Sequence, residues 1–131
     1  MRISPIITDY FHAWLEQDCD KFLGTISDDF YARECTGDVY EGKEIARRWF
    51  ESWHTGDHQV LCWEIDQAWQ LDNRHFVTWT FTCRYDNNLT TFKGISHLLI
   101  KNNKICQLNE YSQEAENKYP YGRPNHVSNE T

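Results

Sequence analysis

Two ionisable side chains, His97 and Glu110, stand among apolar residues in the stretch TTFKGISHLLIKNNKICQLNEYS, residues 90–112. An imidazole that titrates near neutrality and is oriented by a carboxylate is suited to act as a general base. Asn102 and Asn103 separate two apolar-patterned runs. Because asparagine tolerates positive φ, the pair predicts a two-residue hairpin loop. Counting outward from Lys101 opposite Lys104 sets Leu99 against Cys106, His97 against Leu108 and Ile95 against Glu110 on one face. In that register His97 and Glu110 are diagonal neighbours roughly 7 Å apart. The other face takes Ile100 with Ile105, Leu98 with Gln107, Ser96 with Asn109 and Gly94 with Tyr111.

Further along the same reasoning, Tyr10 places a hydroxyl on an apolar helical face, where it could donate to a developing oxyanion or simply pack with a backbone partner. Cys35 could be a nucleophile if a nearby charge lowered its pKa, or a small buried side chain. The indoles Trp14, Trp49, Trp53, Trp63 and Trp79, together with Tyr31, could line a site for a flat apolar ligand as well as fill a core. His54, Asp57 and His58 have the residue types of a metal site, but Gly56 interrupts the helix that would align the histidines, so no metal is expected.

The elements that must hold these groups follow from pattern. Ser4 and Pro5 open a first helix with Ile6, Ile7, Tyr10, Phe11, Trp14 and Leu15 at helical spacing. Asp18 caps a short second helix to about Ile26, ended by Ser27, Asp28 and Asp29, and Phe30 to Thr36 forms a short strand. A glycine-containing loop leads to a third helix from Lys43 to His54, with Ile45, Ala46, Trp49, Phe50 and Trp53 on its inner stripe. From Gln59 the period becomes two, with Leu61, Trp63, Ile65, Trp69 and Leu71 on one side. After a turn at Asp72 and Asn73, Val77, Trp79, Phe81, Cys83 and Tyr85 alternate with polar residues into the final hairpin. Helices followed by an antiparallel meander predict an α+β fold with helices on one face of a curved sheet. Residues 1–114 form one domain, and the polar residues 115–131 read as a tail.

With 131 residues, 40% hydrophobic and 15% aromatic, the chain is long enough for one substantial core. A net charge of -7 excludes a phosphate-backbone binder, so no nucleic-acid partner is expected. Cys19, Cys35, Cys62, Cys83 and Cys106 are scattered singly, and the N-terminal residues lack a basic segment followed by an apolar one. Both features point to a reducing, cytoplasmic setting. No apolar run reaches the roughly 18 residues of a membrane span.

The junction YFHAWLEQDCD, the Asp28-Asp29 entry to the first strand, Gly42-Lys-Glu-Ile before the third helix and the closing Lys104-Ile105 hairpin, in this order, resemble the NTF2-like superfamily, particularly its SnoaL-like and ketosteroid-isomerase branches. The resemblance spans about residues 4–112. It implies a cone in which three N-terminal helices pack into a strongly curved, mixed, mostly antiparallel sheet, commonly a homodimer through the outer sheet face. It also implies a pocket for a small apolar molecule and, in the enzymes, chemistry without a cofactor: isomerisation, cyclisation or dehydration. The oxyanion-donating tyrosine of the isomerases falls on Tyr10, and their catalytic aspartate falls on Cys35 with Glu34 before it, which makes Glu34 an alternative base to His97. The penultimate-strand donor falls on Ser96 or His97. A ligand-binding or dimerisation module that kept the cone without the chemistry is the other reading.

Overall fold

The computed structural model describes residues 2–113 and 116–124. Helix α1 spans Pro5–Glu16, and Ile6, Ile7, Tyr10, Phe11, Ala13 and Trp14 are buried along one stripe. Ser4 holds its start through the backbone, its carbonyl accepting from Ile7 and Thr8, and not through its hydroxyl. Gln17, in the left-handed region at φ 56°, stops it and returns its N–H to Ala13. Asp18 then caps α2, Cys19–Thr25, by accepting from the Lys21 N–H at 3.0 Å.

Strand β1, Ile26–Arg33, follows α2 directly. Ser27, Asp28 and Asp29, read from the sequence as the helix stop, already lie within this strand, and strand pairing overrides their turn propensity. A second strand, β2 Val39–Glu41, occupies what the sequence suggested was a loop and pairs antiparallel with β1. Gly42, at φ 85°, donates its N–H to the Phe30 carbonyl and turns the chain into α3, Lys43–Trp53. Long strands complete the sheet: β3 Gln59–Leu71, β4 Arg74–Tyr85, β5 Asn88–Lys101 and β6 Lys104–Ser112. Their order is β2-β1-β6-β5-β4-β3, with β1 and β6 parallel and every other pair antiparallel.

The loop at Asn102 and Asn103 is as the sequence predicts, both residues having positive φ (52° and 60°). The register beyond it is not. Ile100 lies opposite Ile105, but Leu99 lies opposite Gln107, leaving Cys106 as an extra residue. Ile105 and Leu108 are both fully buried, which an unbroken alternation forbids because residues three apart point to opposite faces. The bulge reconciles them and exchanges the faces of everything after it: Ser96 now faces Glu110, and His97 faces Asn109. In β3 the shift after Ile65 acts alike and carries Trp69 and Leu71 to the face opposite Trp63 and Ile65, where they are 51% and 67% exposed.

The core lies between the helices and the concave inner face of the sheet. Gly94, opposite Trp79, is enclosed there: a Cβ at this position would overlap both the Trp79 ring and the Tyr111 carbonyl. Among the described residues no helix is long and apolar enough to cross a membrane. Of the expected tail, residues 115 and 125–131 lie outside the described residues, and residues 116–124 carry neither helix nor strand.

Gly94→Ala is expected to lower unfolding stability by about 1–3 kcal/mol through overpacking. Gly24→Ala, near the end of α2 with nothing within 4 Å, serves as the control and leaves stability level or slightly raised. Urea denaturation of the two variants checks both.

Candidate functional site

A cavity of about 330 Å³ opens between α1, α3 and the inner face of the sheet. This lies near the lower end of the roughly 300–1,000 Å³ that small-molecule sites occupy. Aromatic side chains dominate its wall: Tyr10 and Trp14 from α1, Trp49 and Trp53 from α3, Trp63 from β3, Trp79, Phe81 and Tyr85 from β4, and Phe92 from β5. The rings run in continuous contact. Trp49 to Trp14 is 4.9 Å between centroids, Trp14 to Tyr10 6.4 Å, Tyr10 to Trp63 6.4 Å and Trp63 to Trp79 5.8 Å. Tyr10 and Trp79 are buried at its floor, whereas Cys35, Thr36, Tyr85 and Thr90 are exposed at its rim. Two lining residues carry acids, Glu34 and Glu110, and no Lys, Arg or His is among them.

The bulge at Cys106 turns Glu110 into this cavity. Burial pushes its carboxyl up to about 8, the negative field of Glu34 adds to the shift, and a hydrogen bond from Ser96 opposes it. The Ser96 hydroxyl donates to Glu110 Oε2 at 3.3 Å while accepting from the Trp79 indole N–H at 2.8 Å. Glu34 follows β1, at the start of a tight turn in which its N–H and carbonyl bond to Asp38 and Gly37. The Tyr40 hydroxyl donates to Glu34 Oε1 at 2.8 Å, and Tyr40 lies flat on Trp49, 4.6 Å between centroids and 7° between planes. Burial raises the Glu34 carboxyl. The Tyr40 hydroxyl pulls it down by favouring the anion, Asp38 pushes it up, and the Trp49 indole tempers it without reaching hydrogen-bonding geometry.

Tyr10 is fully buried and its hydroxyl has no hydrogen-bond partner among the described residues. Its pKa is driven well upward, first by burial and then by Glu110, with Glu34 adding to the shift. The Trp14 N–H tempers this, although the two groups do not reach hydrogen-bonding geometry. The phenol is thus a neutral donor beside two acids. The Cys35 thiol is likewise raised by burial and by the two glutamates, against a hydrogen bond to Ser112. That leaves it a protonated contact at the rim and not a thiolate nucleophile.

The structure therefore brings together Tyr10, Glu34, Cys35, Glu110, Trp14, Trp49, Trp53, Trp63 and Trp79. It separates His97 from Glu110, correcting the register read from the sequence. His97 lies on the outer sheet face, stacked on Phe76 at 4.9 Å, with its Nε2 3.2 Å from Arg74 Nη1. Burial and the Arg74 charge both lower its pKa, so it is a neutral acceptor for the guanidinium. Tyr31, alternating with the buried Phe30 and Ala32, also points away from the cavity. His54 links helices, its ring nitrogens reaching the Phe50 carbonyl at 2.8 Å and the Trp14 carbonyl at 3.2 Å. His58 stacks on Tyr85 and pairs with Asp86 at 3.0 Å.

Sequence reasoning missed Phe81, Tyr85, Phe92 and Tyr40 as parts of the site, and left Ser96 and His97 as alternatives. Phe81 and Tyr85 share the period-two face of Trp79 and were recoverable from it. Setting Ser96 against Glu110 required knowledge of the bulge, and Tyr40 required β2.

The profile of the SnoaL-like domain matches residues 7–108. No curated protein matches. Among solved structures, the chain is similar to a hypothetical protein with a ketosteroid isomerase-like fold from Catenulispora acidiphila in complex with trimethylamine (13% identity, covering 84% of this chain and 86% of that one, TM-score 0.76). It is also similar to an LEH-like epoxide hydrolase of M. tuberculosis (11% identity, 82% and 80%, TM-score 0.74). A candidate polyketide cyclase from Pseudomonas putida is a third (16% identity, 87% and 93%, TM-score 0.73).

The Glu110 environment has a consequence for stability. An unfolded-chain glutamate titrates near ~4.3, whereas Glu110 titrates at about 8 in the fold. Between these values the folded protein holds a proton that the unfolded chain has lost, so this group's contribution to stability declines as pH rises and levels off above the folded value. Glu110→Gln cannot ionise and is expected to gain stability relative to wild type across that window, on the order of a few kcal/mol. Urea denaturation at a series of pH values measures the gap. A gap that stays constant with pH would mean that Glu110 titrates as in the unfolded chain.

Proposed function

The chain belongs to the SnoaL-like family, and from that premise we propose that it is a cofactor-free acid-base enzyme acting on a small apolar substrate that carries a carbonyl or similar oxygen acceptor. One observation carries this reading: a buried carboxyl, Glu110, which burial pushes up to about 8, beside the unpartnered hydroxyl of Tyr10 in a cavity that also holds a second carboxyl, Glu34. Two carboxyls in one apolar site do not both ionise readily. Glu34 receives help from Tyr40 and Trp49, so it ionises first and serves as the base. Glu110 and Tyr10 then donate to the oxygen on which charge develops as a proton leaves the adjacent carbon. Abstraction and return of that proton at different atoms amounts to isomerisation. Loss of a leaving group or attack on a second carbonyl makes the same site a dehydratase or a cyclase. Aromatic walls with no cation suit a flat, neutral ring system.

We place the enzyme in the cytoplasm as a homodimer, without a nucleic-acid or membrane partner. Trp69, Leu71 and Leu89, apolar and more than half exposed, support self-association. Residues 1–114 would constitute the catalytic domain, with 115–131 as an appended tail.

The test is proton exchange into deuterium at the carbon next to the carbonyl, followed by NMR over a panel of small cyclic ketones and β,γ-unsaturated enones. Wild type is expected to accelerate exchange in at least one of them. Glu34→Gln should then lose about 10²–10⁴-fold in kcat, and Tyr10→Phe and Glu110→Gln about 10–10³-fold each. His97→Ala should retain full turnover. The rate should fall as pH rises through about 8, where Glu110 loses its proton. Ketones that bind yet never exchange would favour the ligand-binding module instead.

A further inference from the structure

Ser96 is fully buried, is not charged, and makes no lining contact with the cavity, yet it bonds at once to a wall residue and to an acid. An indole N–H only donates, so the Trp79 bond occupies an acceptor site on the Ser96 oxygen and leaves its single proton free to point elsewhere. Glu110 Oε2, at 3.3 Å and directly across the strand pair, receives it. The chain runs from Trp79 to Ser96 to Glu110: the first step is fixed because an indole N–H can only donate, and in the second the Ser96 hydroxyl is the donor to Oε2. Gly94 permits it: the Trp79 ring lies over the bare backbone opposite, where any side chain would displace the indole from Ser96.

We propose that Ser96 is a positioning residue, which, held by the Trp79 indole, engages Oε2 of Glu110 and so confines the acid proton of that carboxyl to Oε1. This rests on the acid role given to Glu110 above. No bond is made or broken at Ser96; its contribution is to fix the rotation of the carboxyl and to favour the anion that remains once the proton has been given up. The other titratable groups facing Glu110 are Tyr10 from α1 and Glu34 and Cys35 just after β1, and none of the three is hydrogen-bonded to Ser96.

The experiment is a carboxyl-detected NMR titration of ¹³C-glutamate-labelled protein, with Glu110→Gln identifying the resonance. In Ser96→Ala the Glu110 midpoint is expected to rise by about half to one pH unit, a 3- to 10-fold weaker acid. Ser96→Cys, a poorer donor of similar size, should give a smaller rise in the same direction, and it carries the test if the alanine variant fails to fold. Midpoints within ~0.2 unit of wild type in the folded variants would overturn the proposal. Where a ketone is turned over, Ser96→Ala should lower kcat with KM held. A midpoint that moves in a protein that turns over no ketone retains the positioning by Ser96 and discards the proposed reaction.

Discussion

The site depends on one extra residue. Strands β5 and β6 must bury both Ile105 and Leu108 against the helices, and only the bulge at Cys106 allows it. The same step decides which ionisable group enters the core. Without it Ser96 would still face inward from β5, whose pairing with β4 is unbroken, but Glu110 would turn to the outer face; with it Glu110 is committed to a wall of indoles and phenyl rings, where ionisation is costly. Apolar packing thus sets the chemistry: the energy that seats two aliphatic side chains, about 1.5–3 kcal/mol for each one buried, also brings an acid where water is scarce.

A second consequence is the asymmetry between the two acids. Glu34 stands at a strand end, close to exposed residues and within reach of Tyr40, which is braced by stacking on Trp49. Glu110 stands mid-strand with one weak donor. Their environments push them in the same direction by different amounts, and such a difference is what lets one carboxyl act as base while its neighbour remains an acid. Tyr10 completes the set because its helix is capped by backbone groups at both ends, so its place along the helix axis is fixed by Pro5 and Gln17 and not by its own hydroxyl.

The element order was legible because local signals carry it: helical spacing around Tyr10 and Trp14, the Asp18 cap, the paired asparagines at 102 and 103. Tyr10, Glu34, Glu110 and five of the tryptophans, singled out from the sequence, border one cavity. The face of His97 was not legible, since a bulge is dictated by what Ile105 and Leu108 meet across the core, and strict alternation contains no trace of it. The three-residue β2 escaped for a related reason. Its residues are half-buried or exposed, and only pairing with β1 makes them a strand.

The distribution of the indoles makes the protein its own optical probe. Trp14, Trp49, Trp53, Trp63 and Trp79 all border the cavity, while Trp69 alone sits half exposed on the opposite face of the sheet. Indole emission follows the polarity of its surroundings, so nearly all of the intrinsic fluorescence originates from rings that a ligand would touch, with one spectator to mark the solvent-facing baseline. Occupancy of the cone can therefore be read without label or chromophoric substrate, from the cluster of side chains that forms its wall.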